Sequence, residues 1–397
     1  MSLSVKPSSV GGDSSHSENP LKALNRFGQS VWLDYIRRDL MATGELGRLI
    51  QEDGLRGMTS NPAIFEKAIT GSSDYTKDLQ ELAKRKDLDA KGIYEQLAIR
   101  DIQSAADALR RVYDQTKRRD GYVSLEVSPY LAHKTRETID EAIRLWTAVG
   151  RENLMIKIPG TVEGIPAIRE VIGRGINVNV TLLFAQDVYE TVAEAFIAGV
   201  EDLAKNGGDL SRIASVASFF VSRIDTLIDG KLGDFLKNPA AGFDAALAGR
   251  LQGKVAIANA KLTYQKYKEI FGAPRWQALA SRGAATQRVL WASTGTKNKA
   301  YSDVLYVDEL IGPDTVNTIP PATFDAYRDH GRPRASLEED IDAARKTMSD
   351  LPRVGVSMKA VTDKLTEDGV KLFADAFDEL LAAVEKQAKS LAAPASR

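Results

Sequence analysis

Eight short apolar runs of β character recur along the chain, and segments of helical periodicity separate them. The runs fall at 30–35, 54–60, 121–127, 153–158, 176–181, 213–221, 288–294 and 315–319. Helical patterns occupy 41–52, 90–117, 135–149, 164–173, 185–205, 222–236 and 302–310. Strands separated by helices need crossover connections, which are right-handed and give a parallel sheet. Eight such units predict an α/β chain closed into a single (β/α)8 TIM barrel. The rival architecture, an open doubly wound sheet, usually announces its nucleotide site with a glycine-rich turn. Gly173-Arg174-Gly175 lacks the third glycine of that turn, and Gly295-Thr296-Lys297 lacks the upstream glycine of a phosphate loop.

The 397 residues exceed a minimal barrel of ~250 residues. The excess lies in extra helices over 63–117 and 222–287, and in the C-terminal region. Residues 357–391 predict a long amphipathic helix with Phe373, Phe377, Leu380 and Leu381 on one side. No linker divides the chain. The expected organisation is a flexible tail over 1–20, rich in Ser, Gly and Pro, then one barrel domain over 21–397 that includes the C-terminal helix.

Composition removes several function classes. The 53 Lys plus Arg nearly cancel the 54 Asp plus Glu, so no basic excess favours nucleic acid or acidic membranes as partners. Without cysteine there are no disulfides, thiolate nucleophiles or zinc–thiolate sites. His16, His133 and His330 lack ligand spacing, so no metal is expected. No apolar run is long enough to span a bilayer, and the N-terminus lacks a secretory apolar core. The expected setting is cytoplasmic.

Lys157 stands inside an apolar run, Leu154-Met155-Ile156-Lys157-Ile158-Pro159. Burying an ammonium costs several kcal/mol unless it is paired, so packing alone does not explain it. A desolvated lysine loses its proton more readily and becomes a nucleophilic amine, which suggests Schiff-base chemistry on a carbonyl. Strand alternation then sorts its neighbours. Trp32 and Asp34 point inward from the first run, Ser124 and Glu126 from the third, Met155 and Lys157 from the fourth. Asn177, Asn179 and Thr181 point inward from the fifth. Thr59 and Asn61 share one face, as do Val216, Ser218 and Phe220. The polar members cluster at C-terminal strand ends, where such barrels build their active sites. One lysine, two carboxylates, amides and hydroxyls suit a polyhydroxylated carbonyl substrate: the amine forms an iminium and the carboxylates divide the proton transfers.

Five motifs in order resemble those of the transaldolase family of Schiff-base aldolases, over about Phe27 to Thr318. They are Thr59-Ser60-Asn61-Pro62, Val123-Ser124-Leu125-Glu126-Val127, Met155-Ile156-Lys157-Ile158-Pro159, Asn179-Val180-Thr181-Leu182-Leu183-Phe184 and Ser218-Phe219-Phe220-Val221-Ser222-Arg223-Ile224-Asp225. The resemblance implies reversible transfer of a dihydroxyacetone unit from sedoheptulose 7-phosphate to glyceraldehyde 3-phosphate, without a cofactor. Its partners would be phosphorylated sugars, and a homodimer is an admissible assembly. It implies Lys157 as nucleophile and Glu126 as acid–base through a water held with Thr181. It makes Asp34 the base for carbon–carbon cleavage. Thr59, Asn61 and Asn179 would bind the three-carbon unit, and Ser218 and Arg223 the phosphate. Many relatives carry Ala-Ser-x-Arg-Asn after the seventh strand. Here Ala292-Ser293-Thr294-Gly295-Thr296-Lys297-Asn298 stands instead, making Ser293 and Lys297 the phosphate candidates.

Plainer readings compete for each residue. Lys157 could be a structural lysine paired with a barrel carboxylate such as Glu126. Asp34 and Glu126 could be members of satisfied ion pairs. Asn61 could serve an Asx turn before Pro62, and Asn179 and Thr181 barrel hydrogen bonding. Ser218 could serve packing, and Arg223 a helix-face salt bridge. At the level of function, the alternatives are a fructose 6-phosphate aldolase, a metal-dependent lyase or phosphosugar isomerase, and a non-catalytic sugar-phosphate-binding barrel.

Overall fold

The structure, a computed structural model, describes residues 19–237 and 244–392. Eight parallel strands close in chain order: β1 Gln29–Asp34, β2 Leu55–Thr59, β3 Tyr122–Glu126, β4 Leu154–Pro159, β5 Val178–Leu183, β6 Ser215–Phe220, β7 Arg288–Ala292 and β8 Thr315–Ile319. β8 pairs with β1, so every strand has two partners and no edge remains. Each strand lies within two residues of its predicted run. The predicted helix at 41–52 divides into Arg38–Ala42 and Glu45–Glu52, because Gly44 between them takes φ +80°. Of the predicted tail, residues 1–18 lie outside the described residues. Asn19 caps the Pro20–Leu24 helix, and its side chain donates to Asp53 Oδ1 at 2.7 Å.

Outward strand residues such as Val31, Leu33, Val123, Leu154, Ile156 and Val178 are almost wholly buried beneath the helices. Inward residues fill the barrel in layers. One layer packs Trp32 against Tyr122, with ring centroids 6.4 Å apart. Gly57 pairs with Trp32, and a Cβ there would lie 2.5 Å from the indole, so no side chain fits. Nearer the N-terminal end, Arg288 donates to Asp120 at 2.8 Å and to Ser30 at 2.7 Å. Ser30 in turn donates to Asp120 at 2.9 Å, which closes the floor with a satisfied ionic triad.

The predicted C-terminal helix, Met358–Ala392, packs on the Pro62–Thr70, Thr76–Leu82, Ala90–Gln115 and Ser222–Lys237 helices. It also reaches the C-terminal end of β5. There Leu182 takes φ +61° and the β5–β6 register shifts between Val180 and Leu183. A Cβ at Gly369 would stand 2.8 Å from the tip of the Leu182 side chain, so the helix lies close against this strand end. No helix among the described residues is long and apolar enough to cross a membrane.

Arg288→Met keeps the volume of the floor but leaves Asp120 buried without its cation. Urea unfolding should show a loss of about 3–5 kcal/mol. A loss under about 1 kcal/mol would mean that solvent already screens the triad.

Candidate active site

The parallel register brings the polar strand ends together. Glu126 pairs with Lys157, Lys157 with Asn179, and Asp34 with Thr59. Lys157 is 5% exposed. Its Nζ lies 3.5 Å from Glu126 Oε2, donates to the Ser60 carbonyl at 3.3 Å, and sits 5.6 Å from the centre of the Phe373 ring. The contact with Glu126 is ionic; both carboxylate oxygens of Glu126 are buried without a hydrogen-bond partner. Thr181 Oγ1 is buried and unpartnered as well. Burial pushes the Glu126 carboxyl up to about 7, with Lys157 opposing the rise and Asp34 adding to it.

Asp34 is raised for the same first reason, burial, with Lys157 and the Thr59 hydrogen bond acting against it. Thr59 Oγ1 donates to Asp34 Oδ1 at 2.7 Å. A hydroxyl has one proton, so Thr59 accepts from Thr318 Oγ1 at 2.6 Å. The chain Thr318–Thr59–Asp34 fixes the rotamer of the carboxylate.

A cavity of about 330 Å³ opens at this end of the barrel. Asp34, Thr59, Lys157, Thr181 and Ser218 line its inner part. Asn61, Arg223, Ser293 and Lys297 line it further out, from loops and helix starts. Asn61 lies just beyond β2 and caps the Pro62–Thr70 helix, its Oδ1 accepting from Ile64 N at 3.0 Å. That turn role is compatible with its place in the cavity wall. Asn179 is not among the lining residues. It is fully buried, donates to Ser124 Oγ at 3.0 Å and accepts from Ser218 Oγ at 2.7 Å, so it holds Ser218 from below.

Arg223 opens the helix that follows β6 and lies over the Phe220 ring at 5.2 Å. No carboxylate among the described residues forms a salt bridge with it, which removes the plain helix-face reading. Burial lowers its guanidinium from the ordinary value while Asp34 acts in the opposite sense. Ser293, at φ +56°, shares a 2.9 Å hydroxyl contact with Ser222. Lys297 is exposed at the rim, and its charge is felt at Asp34.

Sequence reasoning did not place Thr318, Lys67 or Phe373 in this cavity. Lys67 could have been found, because Asn61, Ile64 and Lys67 follow at intervals of three on one helix. Phe373 showed in its sequence only an apolar stripe, and nothing local says that the stripe covers a lysine. His133 is an exposed residue whose Nδ1 lies 2.9 Å from Glu163 Oε2.

The Transaldolase/Fructose-6-phosphate aldolase family model matches residues 31–384. The chain belongs to this family. It is 48% identical over 375 residues to a transaldolase of Trichodesmium erythraeum (strain IMS101), covering 94% of this chain and 98% of the relative. A "Transaldolase 2" of Nostoc sp. (strain PCC 7120 / SAG 25.82 / UTEX 2576) is 48% identical over 379 residues, with 94% and 98% covered. A transaldolase of Thiobacillus denitrificans (strain ATCC 25259 / T1) is 46% identical over 366 residues, with 92% and 99% covered.

The raised Glu126 carboxyl has a thermodynamic consequence. Its folded value of about 7 stands above the ordinary 4.5, so the fold favours the protonated form. That contribution is complete below pH 4.5 and is lost as pH rises through about 7. Glu126→Gln does not titrate there. The unfolding free energy of the wild type minus that of the variant should fall between these two pH values and then level off. A pH-independent difference in urea unfolding would show that the carboxylate is solvated.

Proposed function

We propose that the protein is a transaldolase. It moves a dihydroxyacetone unit reversibly from sedoheptulose 7-phosphate to glyceraldehyde 3-phosphate, giving erythrose 4-phosphate and fructose 6-phosphate. The observation that carries this reading is Lys157 Nζ in contact with Glu126, inside a barrel whose chain belongs to the family above. On this reading the protein acts in the cytoplasm, in the non-oxidative pentose phosphate pathway.

Lys157, as the neutral amine, attacks the ketose carbonyl, and Glu126 is the carboxylate placed to take its proton. Loss of water from the carbinolamine needs an acid at the departing oxygen. A carboxyl near 7 can both give and take a proton at neutral pH. The unpartnered Glu126 oxygens and Thr181 hydroxyl are suited to hold the water between them. Asp34 then takes the proton of the C4 hydroxyl, and the C3–C4 electron pair flows into the iminium. Phe220 and Phe373 wall the cavity and limit quenching of the carbanion by water. Asn61 binds a hydroxyl of the three-carbon unit, and Asn179 acts through Ser218. Arg223, Ser218, Ser293 and Lys297 supply the phosphate end, where a guanidinium can donate two hydrogen bonds to oxyanions.

Borohydride reduction in the presence of fructose 6-phosphate should add one three-carbon or six-carbon unit to the intact mass, and Lys157→Ala should abolish it. An adduct of undiminished yield in that variant would remove Lys157 as the nucleophile. Asp34→Ala should still give the adduct while kcat falls by about 10²–10⁴. Arg223→Ala should raise KM more than it lowers kcat, because phosphate is bound alike in ground and transition states. The family also contains fructose 6-phosphate aldolases. Release of free dihydroxyacetone at the full transfer rate, with no acceptor aldehyde present, would assign the chain to that activity instead.

A further inference from the structure

Lys157 and Glu126 touch, yet they border different spaces. Lys157 lines the mouth cavity, and Glu126 is not among the residues that do. Glu126 borders a separate crevice of about 20 Å³ outside β3, between the Ala90–Gln115 and Thr135–Val149 helices. That volume admits about one water. Glu126, whose side chain is 5% exposed and whose two oxygens have no hydrogen-bond partner, thus stands between this crevice and Lys157. Tyr94 and Ser128 border the same space, and neither hydroxyl has a hydrogen-bond partner among the described residues. Burial and then the charge of Glu126 raise the Tyr94 phenol, so the carboxylate and the phenol sense each other. At the outer end the lining becomes charged. Lys91 bridges Glu95 and Glu141 at 3.5 and 3.3 Å, with side chains partly open to solvent. Phe377 closes the crevice one helical turn beyond Phe373, which covers Lys157 on the other side.

We propose that this crevice is a rear passage for the water and proton of the Schiff-base cycle, used while the sugar fills the mouth. The inference rests on the Schiff-base reading above. The balance is simple. In dehydration the carbinolamine C–O bond breaks, its electron pair stays on oxygen, and the lysine nitrogen lone pair forms the C=N bond. Glu126 gives its proton to the departing hydroxide, which becomes water and leaves past Ser128 and Tyr94. Hydrolysis runs the same path inward: water gives a proton to the Glu126 carboxylate as its oxygen bonds to the iminium carbon. A path through the mouth would require this water to pass a bound six- or seven-carbon phosphate between Phe220 and Phe373.

The test is exchange of the ketone oxygen of fructose 6-phosphate with H2¹⁸O, without acceptor aldehyde, with Lys157→Ala as background. Each formation and hydrolysis of the iminium replaces that oxygen. Ala98→Leu fills the crevice from the Ala90–Gln115 helix, where Ala98 is 1% exposed. Ser128→Ala removes one relay hydroxyl without adding bulk and serves if the larger side chain prevents folding. In Ala98→Leu we expect exchange to slow by at least about tenfold, and in Ser128→Ala by about threefold. The final amount of borohydride-trapped adduct should stay unchanged in both, because a blocked passage alters the rate of imine formation and not its equilibrium. A structural lesion would lower that final amount instead. Wild-type exchange that persists at full rate in both folded variants overturns the passage. Wild-type exchange no faster than the Lys157→Ala background overturns the Schiff-base reading itself.

Discussion

The structure depends on a lysine and a carboxylate held together where water is scarce. Moving two such charges out of solvent costs several kcal/mol each, and their attraction offsets that only with further polar support. Here the support is lean. Lys157 gains one carbonyl, that of Ser60, and the face of Phe373. Glu126 gains only its 3.5 Å contact with Lys157. A pair assembled for stability alone would be expected to satisfy its carboxylate. The plain reading of Lys157 as a structural lysine therefore has its ion pair, with Glu126 as the partner, and still leaves the state of that partner unexplained. Acid–base work explains it, because an incompletely solvated carboxylate near 7 exchanges protons where a satisfied one does not.

The barrel makes that arrangement affordable in geometric terms. Closure gives every strand a partner on both sides, so the backbone of the interior needs no water. Side chains can then be chosen layer by layer. The floor holds a complete ionic triad, Arg288–Asp120–Ser30, with all its members bonded. The next layer is aromatic, with Gly57 yielding its volume to Trp32. In the uppermost layer Glu126 and Thr181, which border the lysine, carry unpaired polar atoms.

Much of this was legible in the sequence, and the limits have physical causes. Strand parity has a period of two, so one correct register fixed the inward set at once: Asp34, Glu126, Lys157 and Thr181 all follow from it. Parity says nothing about depth along the barrel axis. Asn179 and Thr181 share a face, yet Asn179 is consumed by Ser124 and Ser218 while Thr181 reaches the cavity. The left-handed Leu182 and the register shift after Val180 are tertiary outcomes with no marker in the apolar pattern. Gly44, by contrast, is a local marker: a glycine inside a helical pattern, at φ +80°, where one helix ends and the next begins. Contacts across great sequence distance were invisible. Thr318 on Thr59 and Phe373 over Lys157 depend on closure of the barrel, which no window of residues contains.

The C-terminal helix shows how one element can govern both sides of the central pair. Gly369, Phe373 and Phe377 follow at intervals of four, which places them along one face. Gly369 fits against Leu182 at the bulged end of β5 and sets the distance of the helix from the strand ends. Given that distance, Phe373 reaches the front of Lys157, and Phe377 packs edge-on against Tyr94 at 5.8 Å behind Glu126. A Cβ at Gly369 would meet the tip of the Leu182 side chain at 2.8 Å. Front and rear of the central pair are therefore walled from one helix face, Phe373 over the lysine and Phe377 one turn on beside Tyr94.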